Sequence, residues 1–311
     1  MDRKKSVLQY FQKSNFLSVD NKDYRNHLTK FFLWSCEADA TQNDITAKAL
    51  HLKGSMSAIV VAKQAGVIAG IEEVSYLLKN KTKLKITNCI KDGSVVSKGE
   101  VIIELHGDVR EILAMERVIL NILGRMSGIA TYTSSFLPLL HDSTALLAAT
   151  RKTPLMLLDK KAVAVGGGVT HRLSLSDFPL VKDNHIAAIK KSKHALSEVL
   201  QRMFANNSFF EIEVQLIEEA CIVVAFVEEQ KKNKKRFPVI AIMLDNFTPQ
   251  NATKCVLEIK KSPVYRSILI EASGEITKEN VSAFAKTDVD VISMGTLTHS
   301  APTFNISLKI Q

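Results

Sequence analysis

The sequence predicts a parallel α/β architecture closing toward a barrel, with a smaller α+β module ahead of it. Three observations carry that expectation. From Ala145 onward, short apolar runs alternate with longer amphipathic stretches. A polar residue or glycine follows nearly every run: Arg151, Lys182, Asp245, Ser273 and Gly295. Before about residue 115 the texture changes to separated strand-like segments broken by strong turn signals.

Taken in order, the first stretch is amphipathic and reads as helical to roughly residue 37. Segments 57–62, 83–89 and 101–105 read as strands, with Asp92-Gly93 and Gly99 as turns. A long helix is expected over 109–126, where apolar residues recur at helical spacing. The runs 145–149, 178–181, 209–214, 239–244, 268–272 and 289–294 are short and moderately β-branched, as buried parallel strands are. Helical patterns fill 186–204, 216–231, 249–260 and 278–285. Thr248 before Pro249, and Thr277 with Asn280, suit helix starts. Strands recur about every thirty residues, the interval of βα units. In the tail, Phe304, Ile306, Leu308 and Ile310 share one face of an expected strand, which needs a sheet edge such as the first module offers. The expected domains are 1–118, joined by the tail strand 301–311, and 119–300.

Composition narrows the function. Apolar residues make up 46% and charged residues 23%, which is ordinary for a globular chain and too polar for a membrane protein. No apolar run reaches membrane-spanning length. Cys36, Cys89, Cys221 and Cys255 form no close pair, which argues against a disulfide framework or thiolate metal site and for a reducing, cytoplasmic setting. The net charge of +9 fits nucleic acid, an acidic membrane face or an anionic small substrate. The densest basic run, Lys231-Lys232-Asn233-Lys234-Lys235-Arg236, has no interleaved aromatics to stack bases, so it reads as a solvated helix end. No Gly-x-Gly-x-x-Gly opens a helix after a strand, so a dinucleotide-binding unit is not expected.

Other cations sit where apolar runs end. Ala149-Thr150-Arg151-Lys152-Thr153-Pro154 is followed by Gly166-Gly167-Gly168, His171-Arg172 and Leu180-Val181-Lys182-Asp183-Asn184-His185. Strand ends are where α/β proteins present residues to ligands. The pattern points to a site for a small, multiply anionic substrate. Arg151 and Arg172 offer planar forks for carboxylates, Lys152 and Lys182 point charges, and His171 a further donor. Glu213 and Asp245 are hard oxygen ligands suited to a divalent cation. Ser273, Gly274 and Gly295 fall at late strand ends, where barrels bind phosphate through backbone N–H groups, and His299 adds a donor. No convincing nucleophile triad is present.

These motifs resemble those of the quinolinate phosphoribosyltransferases, also called nicotinate-nucleotide pyrophosphorylases (carboxylating). Further matching segments are Asn43-Asp44-Ile45-Thr46, Glu116-Arg117 with Asn121 and Arg125-Met126-Ser127-Gly128-Ile129-Ala130-Thr131, Glu211-Ile212-Glu213-Val214, Met243-Leu244-Asp245-Asn246-Phe247, Glu271-Ala272-Ser273-Gly274 and Gly295-Thr296-Leu297-Thr298-His299-Ser300. They span nearly the whole chain, in order. The resemblance implies an N-terminal α/β sandwich followed by an incomplete α/β barrel of parallel strands. It also implies the decarboxylating reaction of quinolinate with phosphoribosyl pyrophosphate, with Mg²⁺. Lys152, Glu213 and Asp245 would be catalytic. Arg117, Arg151, Lys152, His171, Arg172 and Lys182 would bind quinolinate. Lys152, Lys182, Glu213, Asp245, Ser273, Gly274, Gly295 and His299 would bind phosphoribosyl pyrophosphate. Glu213 and Asp245 would hold the metal directly or through water or ribose. The family further implies homodimers with shared active sites, in which Arg117 reaches the neighbour, and dimers that can assemble into a hexamer. Neither nucleic acid nor membrane is expected as a partner.

The chain departs from the family pattern beside these positions. Thr170 stands where Asn is usual before His-Arg, and Leu155-Met156-Leu157 replace the usual Gly and Arg after Pro154. Glu275 replaces a common Gly, and Gln215 a frequent acidic residue. Singly, each motif has a plainer reading: surface charge for Arg151-Lys152, a turn for the glycine triplet, a structural ion pair for Glu213, an exposed or Glu116-paired side chain for Arg117. Asn184 and His185 read as loop-shaping residues, and His27, His51, His106, His141 and His194 receive no role. Two competing functions remain open at this stage: a paralogue acting on another pyridine or acid, against which Arg151, His171 and Arg172 count, and a nucleic-acid binder using residues 231–236.

Overall fold

The six apolar runs become parallel strands, because nearly all their residues are apolar and buried on both faces. The computed structural model describes residues 3–141, 143–189, 195–233 and 238–311. Its strands are β1 (Ser55–Ala62), β2 (Gly66–Val67), β3 (Lys85–Cys89), β4 (Val95–Val96), β5 (Val101–Asp108), β6 (Leu146–Ala149), β7 (Leu180–Val181), β8 (Phe209–Val214), β9 (Val239–Asp245), β10 (Ile268–Ser273), β11 (Val291–Met294) and β12 (Ile306–Ile310). The chain divides into two units.

The first unit comprises Met1–Lys13, Phe136–Lys152 and Val169–Thr296. Its sheet runs β6-β11-β10-β9-β8-β7, every described pair parallel. Val169 adds a single parallel bridge to Ala148. The strands alternate with helices, including Ile217–Asn233 and Pro249–Lys260. Thr248 caps the latter through Asn251 N–H at 3.2 Å, with Pro249 in its first turn. The next helix starts at Val281 instead of 278, because Asn280 turns back to accept Thr277 N–H at 2.8 Å. The expected helix over 186–204 appears as Asp183–Ile189 and Ala195–Asn206, and 190–194 lie outside the described residues.

One end of this sheet is an apolar floor. Ala148, Val169, Phe178, Phe209, Ala241, Leu269 and Val291 pack there with Val7 and Phe11 of helix Arg3–Phe11, and Tyr10 stacks on Phe209 at 4.1 Å. The N-terminal helix therefore belongs to the parallel unit, whereas the sequence reading ran helix to residue 37 within the first module. Its amphipathic pattern requires an apolar partner but does not say which core supplies it.

The second unit comprises Ser14–Ser135, Thr153–Gly168 and Leu297–Gln311. Four antiparallel strands in the order β12-β1-β5-β3 form its main sheet, with Ala58 opposite Ile310. Helix Val109–Ser134 runs unbroken past the expected 118/119 boundary, so the units part after Ser135. Gly128 lets the tail approach this helix: a Cβ there would lie 2.2 Å from the Pro302 carbonyl oxygen. The glycine triplet ends helix Leu157–Val165. Gly166 N–H donates to Ala162 and Gly168 N–H to Val163, at 3.0 and 2.9 Å, with Gly167 at φ 94°. Among the described residues no helix is long and apolar enough to cross a membrane.

Candidate active site

Parallel strands all point their C-terminal ends one way, so the residues that end them are collected on one rim. Arg151 and Lys152 follow β6, exposed. Lys182 follows β7, and its ammonium pairs with Glu213, the penultimate residue of β8. Asp245 ends β9 and Ser273 ends β10, opposite one another in the register. Gly295 follows β11. Arg172 lies in the loop after Val169, only 6% exposed, with Nη1 donating to the Phe178 carbonyl at 3.3 Å. Burial and the charge of Arg151 lower the Arg172 pKa, while Glu211 and Asp177 act against them. The guanidinium stays charged throughout the physiological range.

The β9 and β10 ends are interlocked. Asn246, at φ 57°, donates its side-chain amide to Asp245 at 2.9 Å and its backbone N–H to the Ser273 carbonyl at 2.9 Å. Gly274 sits at φ 94°, where a Cβ would lie 2.1 Å from Asn246 Oδ1. Only glycine fits that close approach. Glu275 continues the turn at φ 45°.

Below the rim lies a buried acidic cluster that received no role from the sequence. Glu211 and Glu213 alternate along β8, so both point to one face, as do Glu271 and Ser273 along β10. His171 Nε2 lies 3.0 Å from Glu271 and 3.3 Å from Glu211. Burial disfavours charge on the imidazole, but Glu271 and Glu211 outweigh it and raise its pKa to about 9. Burial and neighbouring Glu271 push Glu211 up to about 8. Glu271 is held below the usual carboxylate range, because His171 overcomes the cost of burial. Arg172 N–H donates to His171 Nδ1 at 2.8 Å, a contact that belongs to the neutral ring with its proton on Nε2; the charged ring that the two carboxylates favour has N–H on both nitrogens and gives this contact up. Both ring nitrogens are thus engaged inside the protein. The signal for this cluster was visible as two acidic residues inside otherwise apolar strand runs.

Among the described residues these three groups lie close enough together to share an ion. Their direct contact at 3.0 Å is that of a hydrogen-bonded pair.

Two expected site residues belong to the second unit. Arg117 lies on helix Val109–Ser134 with its side chain 66% exposed, 2.9 Å from Glu116. His299 is exposed, its Nδ1 2.6 Å from Ser300 Oγ. His185 shapes the loop after β7, as Nδ1 accepts Lys182 N–H at 3.0 Å. A cavity of about 570 Å³ in the second unit, bordered by Phe32, Lys48, Lys83, Arg110 and Met115, holds none of the expected site residues. Lys231 and Lys232 are exposed at a helix end, whereas 234–236 of the basic run, and His194, lie outside the described residues.

An open parallel α/β sheet with cations and carboxylates on its C-terminal rim defines an enzyme of the barrel class that handles anionic substrates. The quinolinate phosphoribosyl transferase C-terminal domain matches residues 129–309 and the N-terminal domain of the same family matches 44–127. The chain belongs to the quinolinate phosphoribosyltransferase family. It is 38% identical over 259 residues to a probable nicotinate-nucleotide pyrophosphorylase [carboxylating] of Archaeoglobus fulgidus, covering 82% of this chain and 94% of that one. The corresponding Bacillus subtilis protein is 37% identical over 288 residues, covering 91% and 92%. Among solved structures, the nicotinate-nucleotide pyrophosphorylase of Francisella tularensis superposes with a TM-score of 0.77 at 30% identity, covering 92% of this chain and 96% of that one.

Proposed function

We propose that this chain transfers the phosphoribosyl group of phosphoribosyl pyrophosphate to quinolinate. The products are nicotinate mononucleotide, pyrophosphate and carbon dioxide, a step of NAD biosynthesis. The observation that carries the reading is that Arg151, Lys182, Glu213 and Asp245 lie at or beside the C-terminal ends of strands of one parallel sheet, with Arg172 close enough to Arg151 to feel its charge. A dicarboxylate meeting a polyphosphate brings many negative charges together, and this rim holds the cations to receive them.

Arg151 and Arg172 take the carboxylates through planar N–H pairs. Lys182, steadied by Glu213, keeps further N–H groups for an incoming anion. Lys152 adds charge beside the departing pyrophosphate. Backbone N–H groups around Gly274 and Gly295 suit the 5′-phosphate. As pyrophosphate leaves, positive charge builds at ribose C1, and Glu213 and Asp245 stabilise it while holding the ribose hydroxyls. The pyridine nitrogen then attacks C1. The positive ring nitrogen stabilises the carbanion left at C2 as the neighbouring carboxylate departs as carbon dioxide, and a proton from water takes the carboxylate's place, so no organic cofactor is required.

Mg²⁺ would suit the hard oxygen donors Glu213 and Asp245, which lie at or next to the C-terminal ends of the paired strands β8 and β9. When bound, directly or through water or ribose, it supplies positive charge to the leaving pyrophosphate.

The same reading makes the enzyme a homodimer in which Arg117 serves the partner's site, with dimers assembling into a hexamer. The exposure of Arg117 supports it, as do the exposed apolar Leu33, Trp34, Ile45 and Leu50 of the second unit. The four free cysteines suit a reducing cytoplasm.

The test is release of carbon dioxide and pyrophosphate in equal amounts from quinolinate and phosphoribosyl pyrophosphate with Mg²⁺. Release that does not depend on quinolinate, or that continues equally with nicotinate in its place, rejects the assignment.

A further inference from the structure

Thr170, where the family usually has Asn, is fully buried and stands directly before His171-Arg172. Its hydroxyl accepts the Lys13 N–H at 2.8 Å and donates to the Phe11 carbonyl at 3.0 Å. Phe11 ends the N-terminal helix, where carbonyls lose their partners within the helix. A residue more than 150 positions away thus caps the helix end.

The same segment grips the far side of the loop. Lys13 Nζ lies 3.8 Å from Asp177, whose carboxylate accepts Leu173 N–H at 3.0 Å. The Phe11 ring lies 4.8 Å from the imidazole of His171. At its start the helix is anchored by Arg3, which donates to Asp290 at 2.7 and 2.5 Å and to the Tyr265 carbonyl at 3.0 Å. Asp290 also accepts Ile270 N–H of β10 at 2.7 Å. His171 is held at φ 53°, an uncommon conformation that needs support from its surroundings.

We propose that Thr170 is a positioning residue: with the N-terminal helix it forms a latch that fixes the backbone of His171 and so holds Arg172 in the geometry that receives quinolinate. The inference rests on the reading of Arg172 as part of the carboxylate clamp. The latch packs near the Val239 and Leu269 starts of β9 and β10, opposite the ends that carry Asp245 and Ser273, so its loss bears on quinolinate and spares phosphoribosyl pyrophosphate.

Thr170→Val keeps the shape and removes the bond from Lys13 N–H together with the hydroxyl's donation, which the Phe11 carbonyl at 3.0 Å and the His171 carbonyl at 3.1 Å share. Its expected effect is a rise of about 5- to 50-fold in the KM for quinolinate. The KM for phosphoribosyl pyrophosphate should stay within about twofold, and Thr170→Ser should restore the wild-type value. Thermal unfolding of each variant, with kinetics measured well below its midpoint, separates this from a merely structural role. A lower midpoint with both KM values unchanged, or both raised alike, overturns the latch. Arg172→Lys is measured in parallel. If it raises the quinolinate KM and Thr170→Val does not, the latch fails and the clamp stands. If Arg172→Lys leaves that KM unchanged, the clamp fails and the latch with it. Should Thr170→Val not fold, Arg3→Ala carries the test from the other end of the helix: a selective quinolinate effect in the same direction supports the latch, and an unselective effect or none overturns it.

Discussion

In the second unit Lys161 sits between Glu72 and Glu73, its ammonium 2.6 Å from Glu73. In the parallel unit His171 sits between Glu211 and Glu271. Both are buried basic groups flanked by two carboxylates, and the surroundings differ. Around Lys161 the charges close on one another, with Tyr24 O–H adding a 2.7 Å bond to Glu73. The partners come from helices Lys22–Ala38, Ile71–Lys81 and Leu157–Val165, so the cluster ties three helices together. Arg125 and Asp159 repeat the pattern nearby, with a forked pair at 3.0 and 2.8 Å. Around His171 the carboxylates come from mid-strand and share a face with the rim residues Glu213 and Ser273. Neither Glu211 oxygen has a well-formed hydrogen bond to a described residue, and the backbone of His171 is left-handed. Buried charge is therefore not in itself a mark of function. Glu73 Oε2 in the Lys161 cluster is also without a hydrogen bond to a described residue, so what separates the two clusters is the left-handed backbone of His171 and its place beneath a rim of ligand-ready groups.

The sharpest test removes the cation from the closed cluster. Lys161→Met keeps the length of the side chain but leaves two carboxylates facing each other, and should cost about 3–5 kcal/mol of stability. Denaturant midpoints read this loss, while turnover per folded molecule should match wild type. If activity fell at unchanged stability, the closed cluster would be functional and the contrast would collapse. Next in size is Asp245→Asn on the rim. Asp245 is partly exposed, so stability should move by no more than about 0.5 kcal/mol. Turnover should drop by about 10²-fold, with quinolinate binding retained and the Mg²⁺ response altered. Wild-type turnover with an unchanged Mg²⁺ response would remove Asp245 from the reaction.

The rim was legible in the sequence because strand ends are local: an apolar run that stops at Lys182, Asp245 or Ser273 announces both the strand and the residue it presents. β8 and helix Pro249–Lys260 have the bounds that periodicity gave, and the alternation from Phe304 to Ile310 marked β12. What stayed hidden depends on distant partners. Nothing local in the first eleven residues says that Val7 and Phe11 pack on the floor of a sheet beginning at residue 146. Helix Leu157–Val165 was missed because two lysines and an aspartate interrupt its apolar pattern, yet all three are buried by pairing or packing within its unit. The Glu211, Glu271 and His171 cluster has the same origin, since three residues spread over a hundred positions meet only once the sheet forms.

The comparison between units has a last consequence, in assembly. Arg117 belongs to the second unit and Glu213 to the first, and the proposed dimer makes them partners across a two-fold axis. Arg117→Ala and Glu213→Ala homodimers should each be nearly inactive. In a mixed dimer, the barrel with intact Glu213 receives Arg117 from its partner, whereas the other barrel carries both defects. Random equal mixing makes half of the dimers mixed, each with one good site, so about 25% of all sites should recover. Subunits are exchanged by co-expression or co-refolding, because a large apolar interface exchanges slowly on standing. Size-exclusion chromatography and differential tags verify the mixed species, and thermal unfolding confirms that each variant is folded. Recovery near a quarter places Arg117 in the partner's site. Verified mixed dimers without recovered activity remove the arginine from the shared-site reading and leave the barrel rim as a site complete within one chain.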